Sequence, residues 1–139
     1  MVSLVTIISS GKGTWGQVNT LLREGTWDHQ YIVCNDFAYD QFQAKDSNTT
    51  TKLRFDEKSW KESYQQLAGF FKEQLKGEME VAVNISSGSG VEHMAVISAL
   101  LKAGVGIYFV YADQGAVQEF SILDRSLQPL GDADDEQLL

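Results

Sequence analysis

Ile8-Ser9-Ser10-Gly11-Lys12-Gly13 and Ile85-Ser86-Ser87-Gly88-Ser89-Gly90 are two near-copies of one phrase, and their residue types suit the capture of an anion. Serine hydroxyls donate hydrogen bonds. Glycine lets the backbone take positive φ and approach a ligand closely. Lys12 is the cation within these loops and would neutralise a phosphate. Each copy follows a short β-branched run, Leu4 to Ile8 or Val81 to Ile85, and precedes a segment with helical periodicity. Strand, glycine-rich turn and helix together aim backbone N–H groups at an anion. Two such loops side by side would form one pocket for a phosphate-bearing ligand. The competing reading is two tight turns whose serines only cap helices, so structural context decides.

Around this phrase lie further groups with usable chemistry. Ser9, Ser10, Ser86, Ser87 and Ser89 can donate to phosphate or ribose, and Thr14 either caps a helix or contacts the ligand. Gly11, Gly13, Gly88 and Gly90 complete the two binding loops. Asn35 and Asp36 end the second apolar run, within reach of a ribose. His93 falls in the first turn after the second loop, and its ring titrates near neutrality, so it can meet a phosphate or carry a proton. Trp15 is either a base-stacking ring or part of the core. No nucleophile, base and orienting group stand at a spacing that defines a triad, which disfavours a nucleophilic hydrolase. Phosphodiester cleavage through a ribose 2′-hydroxyl needs little beyond in-line geometry and charge stabilisation. Ser10, Lys12 and His93 are the catalytic candidates for that step. There is no CxxC, HExxH or Cys/His cluster, so neither a metal nor a cofactor is expected.

The apolar pattern that must position these groups changes period repeatedly. Leu4 to Ile8, Tyr31 to Cys34, Lys52 to Phe55, Val81 to Ile85, Ile107 to Tyr111 and Val117 to Leu123 read as strands. Trp15, Val18, Leu21 and Leu22 recur at helical spacing up to Gly25, and Phe37 to Gln43 forms a short helix. Ser47-Asn48-Thr49-Thr50 reads as a turn. Ser59 and Glu62 fit a capping box, followed by a stripe of Trp60, Tyr64, Leu67, Phe71 and Leu75 ending at Gly77. Met94, Ile97 and Leu101 form the face of a fourth helix, ended by Gly104. Asp113-Gln114-Gly115 signals a hairpin. Alternating strands and helices predict an α/β Rossmann-like three-layer sandwich, with a mostly parallel sheet and a C-terminal antiparallel hairpin. In strand order 3-2-1-4-5, both Ser-Ser-Gly loops lie where the order reverses, the usual ligand position in such sheets. The domain spans 1–124, with an acidic, solvated tail at 125–139.

Composition narrows the partners. The 139 residues fit one domain with its own core. Net charge is −8, so the basic footprint that duplex DNA or long RNA requires is missing. A small nucleotide remains compatible, because backbone N–H groups can hold a few phosphates. No apolar run is long enough for a membrane span, and Met1 to Ile8 reads as a strand rather than a targeting segment. The single Cys34 fits a reducing, cytoplasmic setting.

Two resemblances follow from these motifs. Gly11-Lys12-Gly13-Thr14-Trp15-Gly16 with Asp36 looks like the GxGxxG fingerprint of NAD(P)-binding enzymes, although Ser9 and Ser10 lengthen the turn before its first glycine. It is not a P-loop, since Thr6 stands where the first glycine belongs and Gly13 follows Lys12. The second resemblance spans roughly residues 2 to 123. A polar turn after strand one, Ser9-Ser10-Gly11, combines with Asn84-Ile85-Ser86-Ser87-Gly88-Ser89-Gly90 and then Met94 after strand four. This resembles the CRISPR-associated Rossmann fold (CARF) family, whose strand-four motif reads like Asp-Leu-Thr-Gly-Gly-Thr-Lys-x-Met. Gly90 stands where that family has lysine, leaving Lys12 or His93 to replace the cation. The resemblance implies a homodimer whose paired loops bind cyclic oligoadenylate, as a stand-alone sensor for antiviral defence or as a ring nuclease. A protein-interaction module without a ligand, its glycines serving turns alone, is the third reading.

Overall fold

The computed structural model describes residues 2–43 and 49–120. The tail at 125–139, the end of the sixth predicted strand and the first half of the predicted 47–50 turn lie outside them. Six strands form one sheet in the order β3-β2-β1-β4-β5-β6. They are β1 (Val2–Ile8), β2 (Trp27–Cys34), β3 (Thr50–Arg54), β4 (Glu80–Asn84), β5 (Gly106–Asp113) and β6 (Ala116–Phe120). All neighbouring pairs are parallel except the β5–β6 hairpin. The hairpin turn carries Gln114 and Gly115 at positive φ, as its Asp-Gln-Gly sequence suggests.

Two-residue alternation sends side chains to opposite faces. Leu4, Ile8, Ile32, Cys34, Ala82 and Val110 pack against helix α1 (Trp15–Glu24) and helix α2 (Asp36–Gln41). Val5, Ile7, Tyr31, Val33, Val81 and Val83 pack against helix α3 (Trp60–Gln74) and helix α4 (Gly90–Lys102). The chain is therefore a doubly wound, Rossmann-like three-layer sandwich. Helices change face between α2 and α3, which puts the topological switch point between β1 and β4. Among the described residues no helix is long and apolar enough to cross a membrane.

Two helix faces differ from their sequence reading. The buried face of α4 is Ala95, Val96, Ala99 and Leu100, whereas Met94 and Leu101 are 65% and 59% exposed. The helix is apolar nearly all round, and its alanines allow the closer approach to the sheet. Trp60 likewise leaves the predicted core stripe of α3 and is 51% exposed, while Ser63, Leu67 and Phe71 are buried. The predicted capping box at Ser59 does not form: Ser59 makes no side-chain cap bond and sits in a 3-10 turn, Glu57–Ser59, that Asp56 caps. A Ser-x-x-Glu box does form at Ser89 and Glu92, opening α4.

Candidate functional site

β1 and β4 are adjacent and parallel, with Leu4, Val5 and Thr6 opposite Ala82, Val83 and Asn84. The Ser9–Gly13 and Ser86–Gly90 loops therefore leave the same edge of the sheet, one feeding α1 on one face and the other feeding α4 on the opposite face. Beneath them lies a buried polar node. Thr6 Oγ1 donates to Asn84 Oδ1 at 3.1 Å, Ser86 Oγ donates to the same oxygen at 2.9 Å, and Asn84 Nδ2 donates to the Val110 carbonyl at 2.9 Å. One amide thus ties β1, β4, β5 and the second loop together, satisfying groups that would be costly to bury alone.

A second asparagine does related work beside the first loop. Asn35 Oδ1 accepts from the Ala38 N–H at 2.9 Å and caps α2. Its Nδ2 donates to Ser10 Oγ at 2.7 Å and to Ser9 Oγ at 3.2 Å. Ring N–H groups then pin both turns: Trp15 Nε1 donates to the Ser9 carbonyl at 2.8 Å, and His93 Nε2 to the Ser87 carbonyl at 2.9 Å. That bond places the proton of His93 on Nε2. The two predicted roles of Trp15 resolve toward packing, since its ring lies against Phe37 and Phe42.

The glycines of the two loops are not equivalent. Gly88 has φ +101°, and a Cβ there would lie 2.7 Å from Ile7 Cγ2 and 2.9 Å from Glu92 Oε1. Only glycine fits that corner without strain. Gly11, Gly13 and Gly16 all have open space where a Cβ would stand, and none has positive φ. Within the chain these three glycines therefore serve neither a positive-φ turn nor a close helix–strand contact, two of the roles that glycines have in a dinucleotide fingerprint. Asp36, the ribose acid in that reading, is engaged by Arg54, whose Nη1 lies 2.6 Å from Asp36 Oδ1.

Ser87 is only 4% exposed, and its hydroxyl has no hydrogen-bond partner among the described residues. At the start of α4, Ser89 Oγ accepts the Glu92 N–H at 3.2 Å, and Glu92 Oε1 accepts the Ser89 N–H at 2.8 Å. The N–H groups of Gly90 and Val91, one turn earlier than any intrahelical acceptor, have none among the described residues. At the other loop Thr14 opens α1 without a side-chain cap bond, its hydroxyl reaching back to the Gly11 carbonyl at 3.4 Å. Lys12 lies in the 3-10 turn between Gly11 and α1.

Sequence reading missed the crevice beside these loops. It has a volume of about 350 Å³ and lies between Asn35–Phe37, Phe55–Lys58 and Glu92. Asn35 joins it to Ser9 and Ser10, and Glu57 joins it to Ser89, whose hydroxyl donates to Glu57 Oε2 at 2.5 Å. Its walls carry the carboxylates of Asp36, Asp56, Glu57 and Glu92 against the single ammonium of Lys58. With four carboxylates against one ammonium, this crevice disfavours an anion. Among the described residues no group of His, Cys, Asp or Glu is arranged to hold a metal ion. No protein-family model and no curated protein sequence matches this chain.

Proposed function

We propose that this chain binds a small anionic nucleotide across its twin Ser-Ser-Gly loops, with a cyclic oligoadenylate as the leading candidate. The observation that carries this reading is the meeting of the two loops at one sheet edge, enforced by the parallel β1–β4 pairing. Ser87 supports it: a buried hydroxyl with no partner is explained by a ligand oxygen that accepts from it. The N–H groups of Gly90 and Val91 add donors at the positive end of α4. The CARF-like loop pattern narrows the ligand to cyclic oligoadenylates, read by a sensor or cleaved by a ring nuclease. In the nuclease form Lys12 stabilises the phosphate charge and Ser10 orients it, while His93, held by the Ser87 carbonyl, shapes the second loop. A small nucleotide rather than duplex DNA or long RNA suits the net charge of −8.

A two-fold homodimer completes the proposal. Trp60, Met94 and Leu101 are exposed apolar side chains on α3 and α4, a pattern that marks protein contact surfaces. Pairing α4 with its counterpart covers them and brings four loops together around one ring. The buried thiol of Cys34 suits a reducing, cytoplasmic setting. Thermal shift against cyclic oligoadenylates, NAD, NADP, ATP and cyclic dinucleotides tests the reading, with chromatography of each nucleotide after incubation. A ligand that binds only the folded state raises the midpoint with occupancy. Selective stabilisation by a cyclic oligoadenylate is the expected result. A ring that stays intact marks a sensor and a linearised one a nuclease. Stabilisation by NAD alone, or by nothing, overturns the proposal.

A further inference from the structure

We infer that Glu57 and Glu92 form a subsite that reads the exocyclic amino group of a nucleobase, giving the site its base preference. This rests on the nucleotide reading above and extends it from phosphate to base. The crevice is contiguous with both loops through Asn35 and Ser89, so a nucleotide whose phosphate sits on the loops projects its base into it. Its lining is rich in acceptors and poor in donors. Glu92 is only 1% exposed, yet it lines the crevice and uses one oxygen alone: Oε1 accepts from Ser89, and Oε2 has no partner among the described residues. Glu57, exposed at the mouth of the crevice, has Oε2 taken by the Ser89 hydroxyl and Oε1 left over, so the buried spare acceptor is that of Glu92. Two carboxylates fixed by the same serine thus each keep one acceptor for a ligand. A buried acceptor without a donor carries a desolvation cost that a ligand N–H removes. An amino group supplies two such donors, while a carbonyl at the same position meets repulsion.

The test compares cyclic tetraadenylate with the cyclic tetramer of purine riboside, which lacks only the 6-amino groups. Calorimetry is run on the wild type, Glu57→Gln and Glu92→Gln. Glutamine keeps an acceptor for Ser89, so α4 keeps its cap, and unchanged melting midpoints verify folding. Hydrogen bonds to charged groups of this kind discriminate by about 10- to 100-fold, so the adenine ring should bind the wild type tighter by that factor. In each variant the preference should shrink severalfold, with the weaker ring losing little. Equal affinity of the two rings for the wild type overturns the subsite but leaves the nucleotide reading standing. So does a preference that survives both substitutions. Failure of both rings to bind the wild type overturns both readings.

Discussion

Thr6 and Asn84 face each other across the junction of β1 and β4, joined by a buried 3.1 Å hydrogen bond directly beneath the two glycine loops. Asn84 is the hub, because its carbonyl oxygen also takes Ser86 and its amide holds the Val110 carbonyl. Removing it leaves the buried Thr6 hydroxyl of β1 and the Val110 carbonyl of β5 without this partner and frees Ser86 in the second loop. Asn84→Ala should cost about 2–4 kcal/mol, and Thr6→Val, which removes a single bond, about 1 kcal/mol. Urea denaturation of the two variants measures both values. An Asn84→Ala cost no larger than that of Thr6→Val would show that the node is not shared.

Gly88 in the second loop and Gly16 in α1 should respond in opposite ways to alanine. Gly88→Ala combines positive φ with a clash against Ile7 and should cost about 2–4 kcal/mol. Gly16→Ala lies within α1 in open space and should stabilise by up to about 1 kcal/mol, since glycine is a poor helix former. Thermal or urea unfolding decides this without any ligand. A destabilised Gly16→Ala would restore weight to the dinucleotide fingerprint.

Burial pushes the Cys34 thiol up to about 12; Glu92 adds to the rise, while Lys52 and Arg54 oppose it. The thiol is therefore protonated and inert at neutral pH, and native protein should resist a thiol reagent until it unfolds. Because the folded value lies above the ordinary 9.0, this group favours the fold fully below pH 9 and loses that contribution as pH rises toward 12. Tyr31, also raised by burial and then by Glu78, acts in the same direction. Denaturation midpoints should stay level with respect to these groups up to about pH 9 and fall above it. Rapid labelling of native Cys34 at pH 7 would contradict the buried placement.

The exposed apolar flank of α4 makes a separate test of assembly. Met94→Glu and Leu101→Glu should convert a dimer to a monomer in sedimentation while changing monomer stability by less than about 0.5 kcal/mol. Wild-type protein that is already monomeric at micromolar concentration would remove the two-fold site.

Much of this architecture was readable because period and position agree. Leu4 to Ile8 and Val81 to Ile85 are apolar runs broken only by Thr6 and Asn84, as buried central parallel strands allow, and the repeated Ser-Ser-Gly phrase marks the edge where they end. The α4 face was not readable, since Met94-Ile97-Leu101 and Ala95-Ala99 with Val96-Leu100 are both apolar at helical spacing, and only sheet packing chooses between them. β2 begins four residues earlier than its apolar run, because Trp27 to Gln30 pair on the sheet while remaining partly exposed. The crevice was illegible for a different reason. Its walls come from three segments far apart in sequence, the start of α2, the turn after β3 and the first turn of α4, and the Ser89–Glu57 bond that closes it spans 32 residues.

A nucleotide phosphate held on the loops would rest where Ser87 lies buried without a partner among the described residues. Calorimetric titration of wild type and Ser87→Ala with cyclic tetraadenylate tests it most directly. One ring per two protomers is expected for the wild type, and about tenfold weaker binding for Ser87→Ala, with the free protein no less stable because an unsatisfied buried hydroxyl has been removed. Unchanged affinity in Ser87→Ala, or no binding to the wild type, would contradict it.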